Sequence, residues 1–141
     1  MTSHPTMMYT VIKSVALMLH TKDNPADAEW DETIDRIGRD FGRYKCALII
    51  TEGGGPSTMQ RGQMTDTFEA KGFKGKVAVV TVNRIARGIV TALSWFNPNV
   101  KAFSTVQVNA ALEYLEVPAS DQDIVRAEIK RLRLHLGLPV T

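Results

Sequence analysis

The residues best suited to chemistry cluster in one stretch, Glu52-Gly53-Gly54-Gly55-Pro56-Ser57-Thr58. Three consecutive glycines remove side chains that would hinder close backbone approach, and Pro56-Ser57-Thr58 is a helix-start signal whose first amides point outward. That pattern suits an anion held by backbone N–H groups. It equally suits a turn in which Ser57 or Thr58 merely caps the helix, and the two readings stay open at this level. The lysine of a GxxxxGK[ST] phosphate loop is missing, and the glycine spacing is not that of GxGxxG. A hydroxyl at such a helix start is also a physically sensible phosphorylation site. The helix dipole stabilises the added charge, and Arg61, Arg84 and Arg87 are the guanidinium groups that would pair with it.

Other reactive side chains point to less. His20 ends a strand without a carboxylate or thiolate at metal-ligand spacing, His4 lies near the N-terminus, and His135 falls on the last helix, so no metal site is expected. Cys46 opens an apolar strand, the place of a small core residue rather than a reactive thiolate. Ser57, His20 and Glu52 can be combined on paper into a hydrolytic triad, but no G-x-S-x-G elbow accompanies them, and neither catalysis nor a cofactor is expected. Met59 and Trp95 are candidate anchors for a partner. With Met64 and Phe96 they are also candidate walls of an apolar ligand pocket beside the glycine loop.

Such residues need elements to position them. Tyr9 to Thr21 is strand material, read either as one strand or as two joined at Lys13-Ser14. The segment from Asn24 to Arg43 predicts a helix capped by Asn24-Pro25, acidic at its start and basic at its end, with Trp30, Ile34, Ile37 and Phe41 on one face. CALIIT (46–51) and KVAVVTV (76–82) are continuous apolar runs of the kind buried in parallel sheets. Between them a helix carries Met59, Met64 and Phe68 and stops near Gly72. Asn83 caps a helix with Ile85, Ile89, Leu93 and Phe96 on one face, ended by Asn97-Pro98. A short strand from Val100 to Phe103 follows. Thr105 then caps a helix bearing Val108, Ala111, Leu112 and Leu115, and a last helix from Ser120 carries Val125, Ile129, Leu132 and Leu136. Its basic back face holds Arg126, Lys130, Arg131 and Arg133.

Strands alternating with helices of this length predict an α/β fold, a mainly parallel four- to five-stranded sheet with helices packed against it. In such sheets ligands gather where strands run into helices, which selects Gly53–Thr58, Asn83-Arg84 and Ser104-Thr105. The expected organisation is a flexible tail over 1–8, an α/β domain over 9–117, and a C-terminal helix and tail over 118–141 that packs on the domain or joins an oligomer. The chain has 141 residues, 44% hydrophobic and 23% charged, the make-up of an ordinary globular protein. A net charge of +2 gives no argument for nucleic acid or an anionic membrane. One cysteine excludes an internal disulfide. With no ~18-residue apolar run and no basic-then-apolar leader, a cytoplasmic location is expected.

The strand ALIIT, the loop GGGPST opening a helix, the strand KVAVVTVN, the helix ARGIVTALSWF, the strand VKAFS and the helix NAALEYL together resemble the STAS-like proteins. That family includes anti-sigma-factor antagonists and a bacterial branch likened to CRAL-TRIO lipid-binding domains. The likeness runs from about Tyr9 to Leu115. It implies a regulatory or binding module without enzymatic activity that acts on a protein partner. In antagonist members a serine at the start of the helix after a central strand is phosphorylated by a partner kinase, a location matched here by Ser57 or its neighbour Thr58. The family's usual Asp-Ser-Ser-Gly is Gly-Gly-Gly-Pro-Ser-Thr in this chain. The regulatory or anion-binding candidates are therefore Gly53, Gly54, Gly55, Ser57, Thr58, Asn83, Arg84 and Arg87, with Glu52, Met59 and Trp95 as contact candidates. The alternative expectation is a small-ligand protein that takes a lipid or an anion at the same loop.

Overall fold

A computed structural model describes residues 5–94 and 99–139, with the backbone alone at 91–94. Its first two strands, β1 (Met7–Ile12) and β2 (Val15–His20), form an antiparallel hairpin in which Ile12 pairs with Val15 across the two-residue turn Lys13-Ser14. Both turn residues take positive φ, 48° and 63°, the left-handed pair whose twist matches that of the flanking strands. The alternatives left open for Tyr9–Thr21 thus resolve as two strands. β1 starts at Met7, inside the stretch expected to be a tail, and Thr6 is itself anchored by its amide donating to Glu29 Oε2 at 2.9 Å.

After the hairpin the chain alternates regularly. Helix α1 (Asp27–Arg39), β3 (Cys46–Thr51), α2 (Thr58–Lys71), β4 (Val77–Thr81), α3 (Arg84–Ser94) and β5 (Val100–Phe103) lead to a 3-10 turn at Thr105–Gln107, then α4 (Val108–Tyr114) and α5 (Ala119–His135). The five strands lie in sequence order. β2, β3, β4 and β5 are parallel, and β1 is the antiparallel edge, so the sheet is mixed rather than wholly parallel.

Period-two alternation divides the core into two layers. Val15, Leu17 and Leu19 of β2, with Leu48 and Ile50 of β3, face Ala111 and Leu112 of α4, Leu115 just after it, and Val125, Ile129 and Leu132 of α5. Ala16 and Met18, with Ala47, face Trp30 and Ile37 of α1 and, at the margin, Met64 and Phe68 of α2. Cys46 is buried, as its place at the head of an apolar strand requires.

Four local expectations are corrected. Helix α1 begins at Asp27 with Ala26 as its N-cap and no side-chain cap bond, not at Asn24-Pro25; Pro25 is buried and its carbonyl accepts from Gln60. Phe41 lies beyond the helix end, exposed, with its ring edge-on to Tyr44. Ser104, not Thr105, precedes the turn into α4, and its amide donates to Gln107 Oε1 at 2.8 Å. Ile85 and Ile89 form no buried stripe: both are exposed on α3, which packs against β4 and β5. Phe96, the last member of that stripe, lies outside the described residues.

Candidate functional site

Because β3, β4 and β5 are neighbours and parallel, the segments that leave them share one rim of the sheet. Gly53–Thr58, Asn83-Arg84 and Ser104-Thr105 are thereby brought together, as the sequence order requires. Ser57 and Thr58 are exposed there, and so is Arg84.

The glycine loop has an internal reason for its composition. Gly54 packs on the chain after β2: its amide donates to Thr21 O at 2.9 Å, and a Cβ at this position would collide with the Thr21 and Asp23 carbonyl oxygens. The close backbone approach is to the protein's own loop. Gly53 and Gly55 take φ of 122° and 150°, values L-residues rarely adopt. Thr51 fastens the bend, its hydroxyl donating to Gly54 O and accepting from Gly53 N at 3.0 Å.

Ser57 is the N-cap of α2. Its Oγ accepts from Gln60 N at 3.2 Å, while its own N–H donates to Gln60 Oε1 at 2.9 Å, a reciprocal capping box. The hydroxyl therefore does what the plainer reading requires and still faces solvent. Thr58 Oγ1 accepts from Arg61 at 3.1 Å, and a second Arg61 nitrogen donates to Pro56 O at 3.2 Å. Arg61, in the first turn of α2, reaches back to the loop, and Arg87 is committed to Thr81 O at 2.7 Å. Asn83 caps α3 as expected, its Oδ1 accepting from Ile85 N at 2.8 Å and Ala86 N at 3.2 Å.

Gln60 is the organiser that sequence reading missed. It is buried and donates to Pro25 O and to Asp27 Oδ1 at 2.9 Å, while its carbonyl accepts from Trp30 Nε1 at 2.9 Å. One residue thus ties the start of α2 to α1. The Ser-x-x-Gln spacing of Ser57 and Gln60 was the available signal.

The paper triad does not assemble. His20 is 1% exposed, its ring stacks on Trp30 at 6.3 Å, and among the described residues neither ring nitrogen has a hydrogen-bond partner. Burial pulls its pKa down to about 4, so the imidazole is neutral at pH 7. Glu52 is occupied elsewhere, accepting from Arg133 of α5 at 2.5 Å. Among the described residues no group of three or more His, Cys, Asp or Glu is arranged to hold a metal ion.

Apolar side chains on the rim are unusually bare. Met59 after β3 is 80% exposed, Val82 and Ile85 after β4 are 48% and 76%, and Val106 after β5 is 91%. Met59, a contact candidate, is thus open to solvent. Trp95, the other aromatic contact candidate, lies outside the described residues. Below this rim, on the α5 side, a cavity of about 530 Å³ is floored by Ile50, Val80 and Ile129, with Val82, Val106 and Lys130 at its edge. It is not the pocket expected beside the glycine loop: neither Met59 nor Met64 lines it.

No protein-family profile matches the chain, and no curated protein matches it. Its structure is similar to the crystal structure of an uncharacterised DUF3478-family protein with a SpoIIAA-like fold from Shewanella loihica PV-4. The identity is 16%, the TM-score 0.59, and the match covers 82% of this chain and 98% of that one. The chain therefore has a SpoIIAA-like, that is STAS-like, α/β fold.

Proposed function

We propose that this protein is a STAS-like regulatory module of the cytoplasm that works by binding a protein partner rather than by catalysis. The observation that carries the reading is the row of exposed apolar side chains, Met59, Val82, Ile85 and Val106, on three adjacent strand exits. Single exposed apolar residues are ordinary, but several on one rim mark an interaction surface. Phosphorylation of Ser57 or Thr58 is the switch in this proposal. A phosphate there would sit at the positive end of α2 within reach of Arg61, and would place about two negative charges beside the apolar row. The commitments of His20 and Glu52 elsewhere support the non-catalytic part.

The test is affinity capture with the full chain and quantified prey. Met59→Glu/Ile85→Glu is expected to lose a partner that wild type retains, and Ser57→Asp/Thr58→Asp to weaken the same partner. Capture unchanged by both pairs overturns the proposal. A second reading rests on the cavity below the rim, whose apolar floor and edge lysine suit a small apolar carboxylate. Native mass spectrometry with a fatty acid tests it, and Ile129→Trp is expected to abolish any retained adduct.

A further inference from the structure

The opposite rim, where parallel strands begin, has a different chemistry. The hairpin turn, the entry to β3 and the entry to β4 each deliver lysine: Lys13, Lys45, and the pair Lys74 and Lys76. These four line one cavity of about 550 Å³, closed by the corner between α4 and α5 at Leu115–Pro118. Its acidic lining residues are Glu116 and Asp121. Glu116 is spent on Lys76, whose Nζ lies 3.2 Å from its carboxylate. Lys13, Lys45 and Lys74 take part in no ion pair among the described residues. The backbone around them is fixed, with Lys45 N donating to Ser14 O at 2.8 Å and Asn99 Nδ2 donating to Lys74 O at 3.4 Å. Gly75, between the last two lysines, admits no side chain, because a Cβ there would collide with Lys45 O and the Phe73 ring. The connections are thus held together, and their four lysines line one concavity.

We propose that this cavity is a binding site for a compact polyanion, a small molecule carrying two or more phosphate or carboxylate groups. A multivalent anion can pair with several of the lysines that line one hollow at once, which a single monovalent group cannot. The start of α5 opens at the same place: Pro118 caps it without a side-chain bond, and Asp121 in its first turn sets one carboxylate against the lysines, which carry the positive potential. Size selects a small molecule over a macromolecule. The volume falls in the range of small-ligand pockets, whereas duplex DNA or a membrane needs an extended basic face. Among the described residues no aromatic side chain lines the hollow. This site is independent of the partner-binding rim.

The test is titration calorimetry on the full chain at low salt with tripolyphosphate, citrate and inorganic phosphate in separate arms. The expected result is saturable binding of tripolyphosphate or citrate, stronger than phosphate; the better of the two names the anionic group. Lys13→Gln/Lys45→Gln/Lys74→Gln is expected to weaken it at least ~10-fold, given the usual size of three near-surface charge contacts, while Lys22→Gln, on the opposite rim, leaves it unchanged. In wild type, amide shifts should concentrate at residues 13–15, 45–46, 74–76 and 115–121. Shift mapping on wild type keeps the outcome readable should the triple variant misfold. Absence of binding to all three anions, equal loss in both variants, or shifts spread over the surface overturns the proposal. Tighter binding of an anionic vesicle or a DNA duplex through the same lysines overturns the small-molecule assignment.

Discussion

At the scale of single residues, the described interior holds a costly group. His20 buries two ring nitrogens without partners, an arrangement tolerated because the neutral imidazole is far cheaper to bury than its cation. Its pKa is about 4 folded, against 6.5 unfolded. The unfolded chain therefore takes up the proton first as pH falls, so stability is full above the unfolded value. It is lost between the two values, and the loss levels off below the folded one. Stability at pH 5 should be about 2 kcal/mol lower than at pH 7. Urea midpoints at the two pH values check this, and His20→Phe should flatten that part of the dependence. Gly54 makes the second residue-scale prediction. Gly54→Ala forces a methyl into two carbonyl oxygens and should cost about 3 kcal/mol, whereas Gly53→Ala bears only the positive-φ penalty of roughly 1–2 kcal/mol. Equal losses for the two would mean that conformation, not the contact with the Thr21–Asp23 chain, dictates the glycine at 54.

At the scale of elements, α2 and the hairpin give opposite lessons about legibility. The start of α2 is written in Pro56-Ser57-Thr58-Met59-Gln60, and Ser57 caps it as that string implies. Ser57→Ala should cost about 1 kcal/mol. Ser57→Asp should keep the cap and the melting temperature, so any loss of partner binding by it would not be unfolding. The hairpin turn was legible only as one of two alternatives, because Lys13-Ser14 lacks the Asn-Gly signature of a turn with two positive φ values. Ser14→Gly should stabilise the protein by about 1 kcal/mol through relief of that conformation, read as a rise in thermal midpoint. Helix α1 failed at its start for a different reason: Gln60 claims the Pro25 carbonyl from 35 residues away, and this tertiary bond holds the expected cap region outside the helix.

At the scale of the whole molecule, α5 is part of the core rather than an appendage. Val125, Ile129 and Leu132 are buried with β2 and β3, so Leu132→Ala should cost about 2–5 kcal/mol. A chain ending at Val117 should expose that sheet face and fail to give a cooperative thermal transition. Ile85→Ser on α3 should change stability by no more than about 0.5 kcal/mol, since its side chain is largely in water. The two rims then divide the surface by chemistry, apolar and hydroxyl-bearing where strands end, lysine-rich where they begin.

Element order from α1 onward, a largely parallel sheet and the shared rim of the three strand exits follow from the sequence alone. Hydrophobic period and capping residues are local, and right-handed crossovers leave few ways to assemble them. Tertiary structure alone decided which apolar faces were covered, what Gly54 and Gln60 touch, and that lysines 13, 45, 74 and 76 meet around one hollow. Those outcomes depend on contacts between segments tens of residues apart, and no local pattern encodes which of several amphipathic faces finds a partner.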